Sequence, residues 1–307
     1  MTPRPSVAVV GPTASGKSAV AMAVARRCTD IELVSVDSMQ SYRGLDIGTA
    51  KPTAQERLEV THHLLDVVEP HQEWSVAQFQ EHLVPVLRGI DERGHRAVFV
   101  GGTGLYLRAV VDGLDLPGQW PSVRSEIEQR GVVEGARSLY GELLRCDPVA
   151  AHKIEPDNLR RIVRALEVTL GSGRPFSSFG GGLDSYPPSS VHQVGLRWPP
   201  DVLEARIVER VTMMLQAGWL HEVAGVMQRS LPLSRTAAVA VGYRELADHV
   251  NGRCSLEQAI NAIVIRTRQL AARQMRWFRR DPRIRWVDVV DDPVAEALPL
   301  LLELVHP

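Results

Sequence analysis

The sequence predicts an α/β fold in which a parallel sheet is flanked by helices and interrupted by a helical insertion. Three observations point there. The apolar run Val7-Ala8-Val9-Val10 leads into Gly11-Pro12-Thr13-Ala14-Ser15-Gly16-Lys17-Ser18 and then into helix-forming residues 19–27. Further short apolar runs alternate with stretches of helical spacing, as strands do when helices connect them. From Pro117 to Pro188 the strand signals stop.

The first loop sets the chemistry. Two glycines with four residues between them, then Lys and Ser, placed between a strand and a helix, form the complete phosphate-loop pattern. Glycines let backbone N–H groups close around phosphate oxygens, and the new helix offers its positive end. Lys17 adds a point charge and Ser18 can hold Mg²⁺. Gly11, Pro12, Thr13, Ala14, Ser15, Gly16, Lys17 and Ser18 are therefore the expected cradle for a diphosphate or polyphosphate, in a core like that of the P-loop NTPases. The loop leaves open which phosphate compound it holds.

Residues 31–36 read as a second strand, which delivers Asp37-Ser38-Met39-Gln40 to the sheet edge where the phosphate loop opens. Residues 42–52 are loop-like, and 64–68 read as a third strand before Pro70. A helix is expected over 75–90 through Val76, Phe79, Leu83 and Leu87, then a strand at 96–100 ending in Gly101-Gly102-Thr103-Gly104, then a helix over 105–111. Two helical stretches, 121–144 and 148–170, run into a Gly, Ser and Pro-rich segment at 171–190. Strand 191–196 returns to the sheet, and the remainder reads as helical: 201–217, 220–228, 236–250 and 255–280. The last helix opens with a capping-box pair, Ser255 and Gln258. The expected division is a catalytic core of 1–116 and 191–307 around an insertion of 117–190.

Composition narrows the function classes. The 307 residues are 44% apolar, ample for a buried core. No apolar stretch is long enough to span a bilayer, and no signal-peptide pattern precedes the first strand, so no membrane and a cytoplasmic location are expected. The three cysteines are far apart and form no C-x-x-C pair, which suits a reducing compartment. Net charge is −1, yet Arg266, Arg268, Arg273, Arg276, Arg279, Arg280, Arg283 and Arg285 are opposed in their interval only by Asp281. A local basic patch survives a neutral total.

Asp37 ends an apolar strand shortly after the phosphate loop, whereas the later strand at 96–100 ends in glycines with no acid. That disfavours a nucleotide hydrolase and makes Asp37 a candidate general base beside the phosphates. Thr103 could offer its hydroxyl to developing negative charge. Arg206 and Arg210 share a helix face opposite an apolar stripe of Leu203, Ile207, Val211 and Leu215. In the last long helix Arg266, Arg273 and Arg280 recur every seven residues, with Arg276 close by, which suits a phosphate backbone crossing it. Trp277 and Phe278 would add stacking surfaces if exposed. A kinase that uses ATP in the loop, with Asp37 activating a hydroxyl, and a noncatalytic RNA-binding module both remain open on these residues alone.

Along nearly its whole length the chain resembles the tRNA dimethylallyltransferases, also called tRNA isopentenyltransferases. The matching stretches are GPTASGKS at 11–18, VDSMQSYRGLDIGTAKPT at 36–53, HHLLDVVEP at 62–70, GGTGLYLRAVVDGL at 101–114, DPVAAHKIEPDNLRRIVRALEV at 147–168, VGYRE at 241–245 and TRQLAARQMRWFRR at 267–280. The resemblance implies transfer of a dimethylallyl group from dimethylallyl diphosphate to the exocyclic N6 amine of the adenosine just 3′ of the tRNA anticodon, with Mg²⁺ helping diphosphate leave. By position it makes Asp37 the general base, gives the diphosphate to residues 11–18, and sets Thr103 and Arg210 on the leaving oxygen. Asp37, Ser38, Met39, Gln40 and Thr103 would surround the base. Arg124, Arg160, Arg161, Arg164, Gly242, Tyr243, Arg244, Arg273, Arg276 and Arg280 would contact the anticodon stem-loop. A monomer is expected.

Overall fold

The structure, a computed structural model, describes residues 6–179, 183 and 185–305. Its sheet holds β1 (Ser6–Val10), β2 (Ile31–Ser35), β3 (His62–His63), β4 (Arg96–Gly101), β5 (Val191–Arg197) and β6 (Ile284–Asp288). All pairs are parallel and the order is β3-β2-β4-β1-β5-β6. Strands buried on both faces explain why the central ones read as unbroken apolar runs rather than alternating patterns. The sheet's C-terminal edge carries the loops that matter below.

In chain order the first helices are α1 (Lys17–Arg27), α2 (Ala54–Glu59), α3 (Val76–Glu92) and α4 (Gly104–Asp112). Four more, α5 (Pro121–Glu134), α6 (Ala136–Cys146), α7 (Pro148–Ala151) and α8 (Leu159–Ser172), follow before β5. After it come α9 (Pro200–Gln216), α10 (Trp219–Met227), α11 (Tyr243–Val250), α12 (Leu256–Phe278) and α13 (Pro293–Val305). On one face of the sheet, Val7 and Val9 of β1, Leu33 of β2, Val98 of β4 and Val194 and Leu196 of β5 are sealed by Val20, Ala21 and Val24 of α1 and by Ala297, Leu301 and Val305 of α13. Each fully buried side chain of that size contributes about 1.5–3 kcal/mol. Helix α3 lies against β4 and packs on α4.

The chain forms two compact units, Met1–Asp112 with Tyr186–Pro307, and Gly113–Ser185. The inner unit has its own core of Ile127, Leu139, Leu143, Ile162, Val163 and Leu166. Its limits fall a few residues before those expected from the prolines. At the start, Pro117 O accepts from Arg164 Nη2 at 2.9 Å and Trp120 N–H donates to Glu167 at 3.0 Å. At the other end, Tyr186 leaves the unit and places its ring 4.5 Å from the Arg108 guanidinium of α4.

Five expectations about elements are corrected. The third strand is His62–His63 and not the expected 64–68, where Leu64 and Asp66 take positive φ of 61° and 54° and the chain turns. Asp66 is held there by Lys51 and Arg57. The stretch 121–144 breaks at Gly135, with φ of 84°, and the helix expected from 236 begins only at Tyr243, after Gly242 with φ of 96°. The helix expected over 148–170 is a four-residue turn and then α8, which Asn158 caps by accepting from Arg161 N. The tail is not wholly helical either, since Ile284–Asp288 adds β6 beside β5.

Candidate active site

The loop after β1 is built for close approach. A β-carbon at Gly11 would lie 2.8 Å from Leu196 O, and Gly16 has φ of 93°, which a side chain would strain. Two side chains brace the loop from outside: Trp198 Nε1 donates to Ser15 O at 3.0 Å, and Arg206 Nε donates to Ala14 O at 2.9 Å. The Arg206 guanidinium also stacks 4.3 Å from the Trp198 ring centre. Lys17 Nζ donates to Pro12 O at 2.6 Å. Burial first and the Arg210 charge second bring the Lys17 pKa down to about 7, with Asp37 opposing them. Ser18, the first-turn hydroxyl, is exposed.

Across the sheet edge, Asp37 Oδ1 accepts the N–H of Met39 at 3.0 Å, and the N–H of Ser38 donates to Thr103 Oγ1 at 3.1 Å. Gln40 is fixed by Ser35 Oγ, which donates to its Oε1 at 2.8 Å, and by its own donations to Thr49 O and Ala50 O. Arg210 reaches in from α9, its pKa lowered by burial and supported by Asp37. These groups meet in one cavity of about 440 Å³, lined by Thr13, Lys17, Ser18, Asp37, Ser38, Met39, Gln40, Thr103 and Arg210. Val211, Met214, Trp219, Ile263 and Leu270 supply an apolar wall, and Arg266, Arg273 and Gln274 come from α12. Cationic side chains, a carboxylate and an oily wall thus share one space.

Other expected site residues lie elsewhere. In the inner unit Arg124 and Arg164 converge on the buried carboxylate of Glu167, at 3.3 and 3.0 Å, while Arg160 and Arg161 are exposed. Gly242 and Tyr243 are buried: Gly242 lies against the Trp219 ring, and the Tyr243 hydroxyl donates to Glu222 at 2.6 Å. Their expected contact with RNA is therefore not through an exposed side chain, whereas Arg244 is exposed. The even arginine stripe is also revised, because Arg266 is paired with Glu245 and Arg280 lies beyond the end of α12. Arg273, Arg276 and Arg280 are exposed. Phe278 is buried and offers no stacking surface, and Trp277 packs over Gly104.

Two contributors, Glu222 and Gln274, were not singled out from the sequence, and Arg206 was named there without this role. Glu222 of α10 accepts the N–H groups of Asp46, Ile47 and Gly48 and so shapes the wall beside Gln40. Arg206 braces the phosphate loop rather than sitting on a solvated face. Gln274 touches both loops at the sheet edge. Glu222 and Gln274 act through backbone groups far away in sequence, which leaves no periodic or motif signal. Among the described residues no group of three or more His, Cys, Asp and Glu could hold a metal, and the Ser18 hydroxyl lines the cavity beside Lys17.

A sequence model of the IPP transferase family matches residues 40–281. The chain belongs to that family. A curated IPP transferase relative, the tRNA dimethylallyltransferase of Geobacter metallireducens, is 44% identical over 92% of both chains. The crystal structure of a tRNA isopentenylpyrophosphate transferase from Bacillus halodurans is similar with a TM-score of 0.70 at 36% identity, over 99% of this chain and 97% of that one. A eukaryotic dimethylallyltransferase, crystallised while acting on tRNA, aligns with a TM-score of 0.74 at 25% identity, over 94% of this chain and 74% of its own. The relatives' matches extend past the family model to most of the chain. Among the described residues no helix is long and apolar enough to cross a membrane.

Proposed function

We propose that the chain transfers a dimethylallyl group from dimethylallyl diphosphate to the N6 amine of the adenosine 3′-adjacent to the tRNA anticodon, releasing diphosphate. The observation that carries this reading is the single cavity in which Lys17, Ser18, Asp37, Thr103 and Arg210 surround an apolar wall. A phosphate loop alone would suit a kinase, but that wall suits a short hydrocarbon attached to a diphosphate.

The amine nitrogen forms a bond to the terminal allylic carbon as that carbon's bond to the diphosphate oxygen breaks. Asp37 takes the proton lost by the amine, whose lone pair is otherwise delocalised into the purine. Negative charge grows on the departing oxygen, where Lys17, Arg210, Thr103 and the loop N–H groups assist more in the transition state than before it. Ser18, with diphosphate oxygens, would hold a divalent cation, Mg²⁺ in this reading, which supplies further neutralisation of the leaving group. Asp37, Ser38, Met39 and Gln40 embrace the flipped base. Arg124, Arg160, Arg161 and Arg164 of the inner unit, with Arg244, Arg273, Arg276 and Arg280, approach the anticodon stem-loop. The enzyme works as a cytoplasmic monomer.

Mass spectrometry of nucleosides from unmodified tRNA incubated with enzyme and dimethylallyl diphosphate tests the reading. Dimethylallyl adenosine should form, and Asp37→Ala should slow its formation by about 10²–10⁴, as loss of a general base does. Absence of product together with transfer of the γ-phosphate of ATP to RNA would replace this reading with the kinase.

A further inference from the structure

We infer that Gln274 is a positioning residue that fixes the separation between the diphosphate loop and Thr103. Its Oε1 accepts the N–H of Thr13 at 2.8 Å, and its Nε2 donates to Gly102 O at 3.0 Å. One carboxamide from α12 therefore joins the loop after β1 to the turn after β4. Those strands are neighbours whose ladder ends at the pair Val10 and Gly101. Beyond that pair the strand ladder does not continue, and Gln274 makes the connection between the two segments.

The residue type matters. An ionised carboxylate only accepts and Lys or Arg only donates, whereas a carboxamide does both from adjacent atoms. Gly102 is matched to it, because a β-carbon there would stand 2.2 Å from Gln274 Nε2. Gly102 precedes Thr103, and Thr13 lines the cavity with Lys17 and Ser18. Loss of the bridge lets the leaving-group contacts on the two segments move independently. The inference rests on the assignment of the loop and Thr103 to the diphosphate.

The test compares Gln274→Met, which keeps the volume but loses the amide, with Gly102→Ala, whose new methyl displaces the amide. Single-turnover rates at saturating substrates should fall about 10-fold or more in each, as they do when reacting groups are slightly misplaced. Affinity for tRNA should stay within about twofold, which separates positioning from a general loosening of α12. Because both changes break the same bridge, the double variant should be no slower than either single one. A Gln274→Met enzyme with a wild-type rate, or full multiplication of the two losses, would overturn the inference. If Gln274→Met does not fold, Gly102→Ala carries the same comparison. Lys17→Ala and Thr103→Val are run beside them. Slow Lys17 and Thr103 variants with a wild-type Gln274→Met would refute only the bridge, and wild-type rates in those two would refute the site assignment itself.

Discussion

Thr103 Oγ1 accepts the N–H of Ser38 at 3.1 Å and stands 3.3 Å from the Ser38 hydroxyl, so the turn after β4 is held to the segment after β2. With a lone pair engaged by that N–H, the Thr103 hydroxyl is oriented by the fold, and in the proposed reaction its proton goes to the leaving oxygen. Thr103→Val should slow single-turnover transfer by about 10-fold or more, the scale of a lost oxyanion donor, while Thr103→Ser should restore most of it. Rapid-quench measurement of product checks this, and equal rates for Val and wild type would remove Thr103 from the reaction.

Lys17 gives the diphosphate step a pH dependence. Its pKa in the free cavity is about 7 against an ordinary 10.5, so between those values it is largely neutral until an anion arrives. Binding of diphosphate favours the charged form, and the complex should take up close to one proton near pH 8, above the ~6 at which a phosphate itself ionises. Affinity should therefore weaken as pH rises above about 7. Titration calorimetry in buffers of different ionisation enthalpy measures the uptake, which Lys17→Arg should abolish.

The exposed arginines at the end of α12 address the salt dependence of RNA binding. Arg273→Gln with Arg280→Gln should weaken tRNA binding and flatten the plot of log affinity against log salt by about 0.7–0.9 per lost phosphate contact. Affinity for dimethylallyl diphosphate should change little for Arg280→Gln alone, since Arg280 lies outside the cavity lining. Arg268, paired with Glu204 at 2.6 Å, is the internal control. Titrations at several salt concentrations decide it, and an unchanged slope would sink the RNA stripe.

Acid stability should depend on Glu32, a buried carboxylate at the opposite end of the sheet. Burial acts to raise its pKa, but hydrogen bonds from Arg93, His63 and His95 together outweigh that and bring it from 4.5 to about 2. A depressed carboxylate stabilises the fold fully above its unfolded pKa and loses that contribution as pH falls towards the folded one. Wild type should therefore lose stability between about pH 4.5 and 2, and Glu32→Gln should lose less over that interval. Urea midpoints across it provide the comparison.

The sequence carried the central part of the fold because strands buried on both faces are plain apolar runs, and the loop at 11–18 has residue types that few other structures require. It carried less at the margins. Strand β6 alternates Arg285 and Trp286 among arginines, so the edge strand was hidden inside what looked like a basic tail. Positive φ at Leu64 and Asp66 replaces the expected strand 64–68 by a turn after β3, and Asp66 is held there by the distant Lys51 and Arg57. Asp37, Thr103 and Lys17 were legible because each ends or follows a strand at one edge. Glu222 and Gln274 were not, and the role of Arg206 was not, because they serve backbone atoms that only the folded chain brings near.

Helix α13 seals the same apolar face as α1, and Pro293 stands so close to Gly16 that a β-carbon there would be 2.6 Å from its Cγ. The loop after β1 is thus roofed by residues that lie far along the chain from it. A nascent chain lacking them would display Val20, Val24 and the sheet positions beneath as uncovered oily surface. Such long sequence separation slows closure of the core and prolongs that exposure. Chaperone demand during synthesis should accordingly depend on how soon α13 closes over α1, and a stop codon just before Pro293 would leave the phosphate cradle without its roof.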